Sequence, residues 1–179
     1  MRQLVTVLFA IFLVVLPAAT SLAQEATADP EAMDTSDESL SLAPLPDVAD
    51  AAQPFRERVI ELTNTERQAQ NLAPLSENSA LTAAAQAHAD WMASSGCFGH
   101  VCPDEPVVGA RVLQAGYQWS WWAENIAFGY PTPEKVVDGW MNSPGHRANI
   151  LNPNLREIGI GAILDGMRSY WVQDFGAAR

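Results

Sequence analysis

Apolar residues recur every three or four positions along two stretches of the chain, and this spacing predicts two amphipathic helices. The first covers residues 55–72 and ends at Leu72-Ala73-Pro74. The second begins after a cap at Asn78 or Ser76 and stops at Ser95-Gly96. Their apolar stripes consist of Phe55, Val59 and Leu62 in the first helix and of Leu81, Ala84, Ala85, His88 and Met92 in the second.

Shorter helices are predicted further along the chain by caps and first-turn residues. A third helix covers residues 107–115, and a fourth begins at Thr132-Pro133-Glu134, where a hydroxyl cap, a proline and an acid favour a helix start. Ser143 as a cap and Pro144 as a first-turn residue predict a short fifth helix that runs through Leu151. The buried face of the fourth helix consists of Val136, Val137, Trp140 and Met141.

Alternation replaces the helical period near the C-terminus. Apolar positions alternate over residues 158–164, Asp165-Gly166 marks a turn, and residues 170–175 alternate again, which predicts a terminal β-hairpin. Helices followed by antiparallel strands indicate an α+β fold, because each amphipathic helix must bury its stripe on the sheet or on another helix.

The first 23 residues are typical of a cleavable secretory signal. Arg2 precedes an apolar run over residues 4–16, and the small-residue ending Ser21-Leu22-Ala23 predicts cleavage after Ala23. The alternative is an uncleaved membrane helix, but the run is too short to span a bilayer comfortably. We therefore expect a secreted, extracellular or periplasmic protein.

An acidic leader is predicted over residues 24–54, and the folded domain over residues 55–179. The leader has no Lys, Arg or aromatic residue, so it has little apolar surface to offset the entropy of ordering. The whole chain has a net charge of -11, whereas residues 55–179 hold 13 acidic and 9 basic residues. This balance excludes nucleic acid as the main partner. We expect a monomer without an integral membrane anchor.

The segment Trp119-Ser120-Trp121-Trp122-Ala123-Glu124-Asn125 is predicted to be extended, with Trp119 and Trp121 on one face. Two interpretations remain open for these indoles. They form a tryptophan-rich core, since aromatic side chains dominate core burial, or they form an aromatic wall beside a ligand groove. The exposure of the side chains distinguishes the two.

The three histidines have different surroundings. His88 lies on the apolar stripe of the second helix, which favours a core histidine paired with a backbone group. His100 lies in the loop Gly96-Cys97-Phe98-Gly99-His100-Val101-Cys102-Pro103, which has no hydrophobic period. His146 is placed in the first turn of the fifth helix, where the helix dipole favours a neutral ring that can ligate a metal or accept a proton.

Two cysteines, Cys97 and Cys102, flank His100. In an exported chain this pair predicts one disulfide, which would hold His100 in place and contribute about 2 kcal/mol in the chain-entropy model. The alternatives are a Cys/His nucleophile pair and a metal site with two thiolates.

Five segments have a distinctive order and spacing. They are Leu62-Thr63-Asn64-Thr65-Glu66-Arg67, Ala87-His88-Ala89-Asp90-Trp91-Met92, Phe98-Gly99-His100, Ala123-Glu124-Asn125-Ile126-Ala127 and the long run Trp140-Met141-Asn142-Ser143-Pro144-Gly145-His146-Arg147-Ala148-Asn149-Ile150-Leu151. Together they resemble the CAP superfamily, the SCP-like group of cysteine-rich secretory, antigen 5 and pathogenesis-related 1 proteins, and in particular its bacterial secreted branch. The resemblance implies a three-layer α-β-α sandwich with a small antiparallel sheet.

The resemblance also implies a central cavity in which two His and two Glu can bind a divalent metal such as zinc. It assigns His100, Glu124 and His146 to this metal site and makes them the candidates for catalysis. At the fourth, acidic position the chain has Ser143, and Glu157 is either a replacement or a solvated carboxylate at the start of a strand. Two His and one carboxylate suit zinc with an open water position.

Common catalytic motifs are absent from the sequence: it has no G-x-S-x-G elbow, no H-E-x-x-H and no phosphate loop. The resembled family has no general enzymatic activity, and the roles it implies are binding of lipids, metals or surfaces. The first hypothesis is a secreted or periplasmic binding module whose metal-capable cleft takes an extracellular ligand, such as a lipid or an envelope glycan. The alternative is a metal-assisted hydrolase that acts on cell-envelope material.

Overall fold

The computed structural model describes residues 51–179. Its helices are α1 (Gln53–Ala69), α2 (Ser79–Ser95), α3 (Val108–Gln114), α4 (Pro133–Met141) and α5 (Pro144–Ile150). Its strands are β1 (Ser76–Glu77), β2 (Trp119–Phe128), β3 (Glu157–Ile163) and β4 (Tyr170–Ala178). None of the helices in this range is both long and apolar enough to cross a bilayer.

The predicted signal peptide and the leader up to residue 50 lie outside the described residues. The end of the leader is helical, because α1 begins at Gln53 with Pro54 in its first turn, a position where proline costs no backbone hydrogen bond.

The four strands form one sheet in the order β1, β3, β4, β2. The predicted hairpin of β3 and β4 is confirmed as an antiparallel pair, and β2 pairs antiparallel with the other side of β4. The sheet is mixed and not purely antiparallel as expected, because the two-residue β1 pairs parallel with β3. Strand β2 is therefore an edge strand, and it carries Glu124, one of the candidate site residues.

Helices cover both faces of the sheet, which confirms the three-layer architecture. On one face α2 packs against β3 and β4, and α3 packs against α2 and β2. On the other face α1, α4 and α5 pack against one another, and the large core residues Trp140, Trp171 and Phe175 fill this layer. Both helical layers reach the edge strand β2, so side chains from the two layers can meet there.

The predicted helix starts and stops are confirmed in α2 and α4. Asn78 caps α2 by accepting from the backbone N–H groups of Ala80 and Leu81, and Gly96 ends it with a left-handed φ of 70°. Thr132 caps α4 by accepting from the N–H of Lys135. Ser143 occupies the cap position of α5, but its side chain makes no cap hydrogen bond.

Glycines in β3 allow α2 to lie directly on the sheet. A Cβ atom added to Gly159 would lie 2.1 Å from the backbone nitrogen of Thr82, and one added to Gly161 would lie 2.2 Å from the carbonyl oxygen of Ala85. The atoms that the added Cβ would meet belong to the backbone of α2 and cannot rotate away. Glycine at these two positions therefore lets α2 lie close to β3.

Arg67 fixes the position of the segment that follows α5. Its side chain is almost fully buried on α1 and donates to the carbonyl oxygens of Ala73 (2.9 Å), Ile150 (2.7 Å) and Asn152 (3.0 Å). A fourth carbonyl, that of Leu155, lies at 3.5 Å. Because α5 ends at Ile150, this guanidinium fastens the C-terminal end of α5 to α1.

Candidate functional site

His100 lies in the loop between α2 and α3, and its ring is held by a carboxylate on β2. Its Nδ1 is 2.7 Å from Oε1 of Glu124, so Nδ1 carries a proton and donates it to the carboxylate. The side chain of Glu124 is 1% exposed and that of His100 is 53% exposed. The hydrogen bond to Glu124 raises the pKa of His100. Since Nδ1 is occupied, Nε2 is the nitrogen of His100 that a ligand can reach.

Arg111 on α3 holds the other oxygen of the same carboxylate. Its Nη2 donates to Oε2 of Glu124, and its Nη1 donates to the backbone carbonyl oxygens of His100 and Pro106, each at 3.0 Å. The side chain of Arg111 is 6% exposed. One buried guanidinium therefore connects the carboxylate of β2 to the backbone of the loop that carries His100.

Glu105 extends this network to the core histidine on α2. Its Oε2 lies 3.6 Å from Nη1 of Arg111, and its Oε1 lies 2.7 Å from Nδ1 of His88. The core position of His88 is confirmed, but its partner is this carboxylate and not the predicted backbone group. Sequence reasoning missed Glu105, because an acid in a loop without hydrophobic period shows nothing of its burial.

The predicted disulfide between Cys97 and Cys102 is confirmed, so the two cysteines provide neither a nucleophile nor thiolate ligands. The bridge closes the first half of the loop around His100. The backbone N–H of Cys102 also donates to Oε2 of Glu105 at 3.4 Å, which joins the bridge to the ionic network.

His146 approaches β2 from the opposite helical layer. Asn125 Nδ2 donates to the carbonyl oxygen of His146 at 3.2 Å and to Gln173 Oε1 at 3.0 Å. Asn149 Nδ2 donates to Oδ1 of Asn125 at 2.8 Å and to the carbonyl oxygen of Glu124 at 3.2 Å. These amides fix the first turn of α5 to the strand that carries Glu124.

The ring of His146 favours the neutral state, as the sequence predicts. Burial lowers the pKa of His146, and the charge of nearby His100 lowers it further. The three candidates for the metal site thus differ in placement. His100 and Glu124 are in direct contact, and His146 lies close enough for the charge of His100 to lower its pKa.

Asp174 lies beneath this site as a fully buried acid. It is the register partner of Glu124 on β4, and neither of its carboxyl oxygens has a hydrogen-bond partner among the described residues. Burial raises the pKa of Asp174 well above its ordinary value, and the negative charge of Glu124 raises it further. The neutral acid is therefore the form that the fold accommodates.

We expect Asp174→Asn to stabilise the protein at neutral pH. The folded-state pKa of Asp174 lies above its unfolded value of about 3.9, so the native state binds more protons between the two values and stability falls as pH rises through this window. Asp174→Asn removes this pH-dependent loss of stability. The difference in unfolding free energy between the variant and the wild type, measured by urea unfolding, should therefore grow from pH 4 to pH 7. Asp90→Asn, at an exposed acid on α2, is the control; a D174N protein less stable than the wild type at pH 7 contradicts the expectation.

A cleft of about 440 Å³ opens beside His100. Trp122 is 40% exposed and lines it, which supports the aromatic-wall interpretation for this residue. Trp119 is partly buried and packs against Trp122 with ring centroids 6.4 Å apart. A register shift between Trp119 and Trp121 interrupts the alternation that the prediction assumed. The remaining lining residues are Val101, Val107, Val108, Ala123, Glu124 and Asn149.

Both carboxylate oxygens of Glu124 accept hydrogen bonds, one from His100 and one from Arg111. Within residues 51–179, no group of three or more His, Cys, Asp or Glu side chains is placed to hold a metal ion. His100, with the carboxylate of Glu124 behind its ring, has the oriented imidazole that is common among metal-binding histidines.

Glu157 lies outside the cleft. It begins β3, two strands away from β2, and its carboxylate accepts from the hydroxyl of Tyr117 and from Nδ2 of Asn78. It is therefore neither the replacement acid nor a freely solvated carboxylate, but a residue that joins the start of β3 to α2 and to the segment after α3.

Comparison with known sequences identifies a family over most of the described chain. The profile of the CAP domain, described as the cysteine-rich secretory protein family, matches residues 60–175. The protein YkwD of Bacillus subtilis is 42% identical over 121 residues, which are 68% of this chain and 46% of YkwD. The membrane protein YlbC of the same organism is 30% identical over 118 residues, 66% of this chain and 33% of YlbC. The chain thus spans less than half the length of these relatives.

Solved structures agree with this assignment. An extracellular protein with an SCP domain from Bacillus anthracis has a TM-score of 0.67 and 28% identity, over 75% of this chain and 44% of that one. An outer surface protein of Borrelia burgdorferi has a TM-score of 0.66 over 72% of this chain and 96% of its own, and at 19% identity it shows the fold alone.

Proposed function

Because the chain belongs to the cysteine-rich secretory protein (CAP) family, we propose that it is an extracellular or periplasmic binding module whose ligand enters the cleft beside His100. The similar structure from Bacillus anthracis is described as that of an extracellular protein, and the predicted signal peptide points the same way. This likeness supports the location, whereas the cleft supports the role.

The observation that carries this proposal is the contrast between a buried network and an exposed ring. Charged groups are costly to bury, and a single buried ion pair contributes little net stability. Here the buried charges of Glu105, Arg111 and Glu124 lead to a histidine whose side chain is 53% exposed. A network of this kind restricts the orientation of a ring that solvent can reach, which is what a binding site requires.

The ligand that fits this cleft is amphipathic. Three exposed apolar side chains line the cleft beside His100, those of Val101, Val107 and Trp122. Phe98, also exposed, packs near Phe128 with ring centroids 6.0 Å apart. An apolar body can lie against these side chains while a polar group meets the Nε2 of His100, which accords with the lipid class that the family resemblance implies.

Zinc is the metal that we propose for the two histidines. Nε2 of His100 would bind it, with Glu124 as the carboxylate that orients the ring, and the neutral ring of His146 would supply the second nitrogen. Such an ion would add a Lewis-acidic centre that attracts a carboxylate or phosphate of the ligand. Two protein ligands make a weak site, so we expect modest affinity.

Hydrolysis of envelope material is the less favoured function. A general base must reach the reacting water. The side chain of Glu124 is 1% exposed and its two oxygens face His100 and Arg111, so it is poorly placed to contact that water. A hydrolase would also need to turn over a substrate from a peptide, ester and glycan panel, and that turnover should disappear in Glu124→Gln.

The amphipathic ligand is tested with laurate, a soluble single-chain amphiphile, by titration followed through tryptophan fluorescence. We expect saturable binding that Trp122→Ala weakens at least about tenfold, the equivalent of about 1.4 kcal/mol of lost apolar contact. Trp91→Ala removes an indole of similar exposure from α2 and should leave the affinity unchanged. Equal loss in both variants, or no saturation in the wild type, contradicts the proposed ligand class.

A further inference from the structure

Arg111 joins parts of the cleft that are far apart in the sequence. Its Nη2 bonds the carboxylate of Glu124 on β2, and its Nη1 bonds the carbonyl oxygens of His100 and Pro106 at the two ends of one loop segment. A guanidinium is planar and presents its donors in a fixed fork, so these bonds fix its partners relative to one another. The side chain is 6% exposed, which leaves it little freedom to rotate.

The orientation of the Glu124 carboxylate depends on this contact. With Oε2 held by Arg111, the plane of the carboxylate is set and Oε1 points to Nδ1 of His100 at 2.7 Å. The same guanidinium holds the backbone oxygen of His100, so both partners of the His100 to Glu124 bond are fixed by one side chain. Oε2 of Glu105 lies 3.6 Å from the same Nη1, so a second buried carboxylate stands beside the guanidinium.

We propose that Arg111 is a positioning residue of the cleft, which holds Glu124 and the backbone of His100 together so that His100 is protonated at Nδ1 and presents Nε2 to the ligand. This inference rests on the proposed function only in that Nε2 of His100 is the ligand-facing nitrogen. Arg111 does not contact the ligand itself.

The tautomer of His100 is the direct readout, because it does not require any ligand. Long-range proton-nitrogen NMR correlations of the metal-free full chain at pH 8 should show a single neutral tautomer with the proton on Nδ1. Arg111→Met and Arg111→Lys should each give a mixture of the two tautomers, since methionine lacks the donors and lysine lacks the planar fork. Arg111→Lys keeps the buried positive charge. If circular dichroism shows that Arg111→Met is unfolded, the tautomer of His100 is compared between the wild type and Arg111→Lys alone.

Arg67→Lys is the matched control for a merely structural effect. Arg67 is also a buried guanidinium that bonds backbone carbonyls, but it touches no part of the His100 loop. Its variant should unfold at lower urea concentration and leave the tautomer of His100 unchanged. A pure Nδ1 tautomer in the folded Arg111 variants, or the same mixture in Arg67→Lys, overturns the proposal.

Zinc affinity gives a second readout. Loss of the group that is hydrogen-bonded to a metal-binding histidine costs about 10- to 100-fold in metal affinity. Arg111 holds that group, Glu124, so folded Arg111→Lys should bind zinc more weakly, by up to that factor. Unchanged or tighter binding overturns the positioning role. If the wild type does not bind zinc, the metal part of the proposed function fails, whereas the tautomer measurement still decides the role of Arg111.

Discussion

Gly161→Ala is expected to lower the free energy of unfolding by about 3 kcal/mol or more, at the upper end of the range for overpacked cores. The added Cβ would lie 2.2 Å from the carbonyl oxygen and 2.3 Å from the carbonyl carbon of Ala85. Because these atoms belong to the backbone of α2, no side-chain rotation relieves the clash, and helix and strand must move apart. Urea unfolding followed by circular dichroism measures the loss.

Gly145→Ala is the matched control for this substitution. Gly145 lies in α5, and a Cβ atom added there has no atom within 4 Å. Alanine is the better helix former, so this variant should be as stable as the wild type or slightly more stable. If Gly161→Ala and Gly145→Ala unfold at the same urea concentration, the backbone of α2 does not pack on β3 as closely as described, and the prediction is wrong.

Arg67→Met is expected to cost at least about 3 kcal/mol, since each buried acceptor left without a partner costs about 1 to 3 kcal/mol. The substitution keeps an apolar stem of similar length but leaves the carbonyl oxygens of Ala73, Ile150 and Asn152 without their donor. The end of α5 should loosen as well, and hydrogen exchange of the α5 amides should rise more than that of the α2 amides.

Arg156→Met serves as the comparison, because Arg156 also donates to backbone carbonyls, those of Pro153 and Leu155, from an exposed position. Water can replace its bonds, so the loss in unfolding free energy should be much smaller than for Arg67→Met. Similar losses in the two variants would refute the anchoring role of Arg67.

Local patterns were sufficient for most of the architecture. Helical periodicity and caps located all five helices, since Asn78, Gly96 and Thr132 act through neighbouring backbone groups. Alternation located the hairpin of β3 and β4. The parallel pairing of β1 had no such signal, because two residues, Ser76 and Glu77, are too few to show a period. The register shift at Trp119 is likewise fixed by the partner strand.

The candidate site was only partly visible in the sequence. His100 and Glu124 were found through motifs, and the structure brings them into direct contact. The partners of these residues were not found, because Glu105, Arg111 and Asp174 acquire their roles by burial next to groups that are distant along the chain. An arginine in α3 or an aspartate in β4 has the same local pattern whether it is solvated or buried in a network.

The central claim is that the two histidines on either side of β2 form one binding site. Isothermal titration calorimetry of the full chain with zinc at pH 7.5 tests it most directly. We expect the wild type to bind one zinc ion with modest affinity that falls toward pH 6, because the raised pKa of His100 lets protons compete early. His146→Ala should lose this binding, and Asp90→Asn, at an exposed acid on α2, should retain it. Equal affinity of the wild type and His146→Ala for zinc would contradict the account.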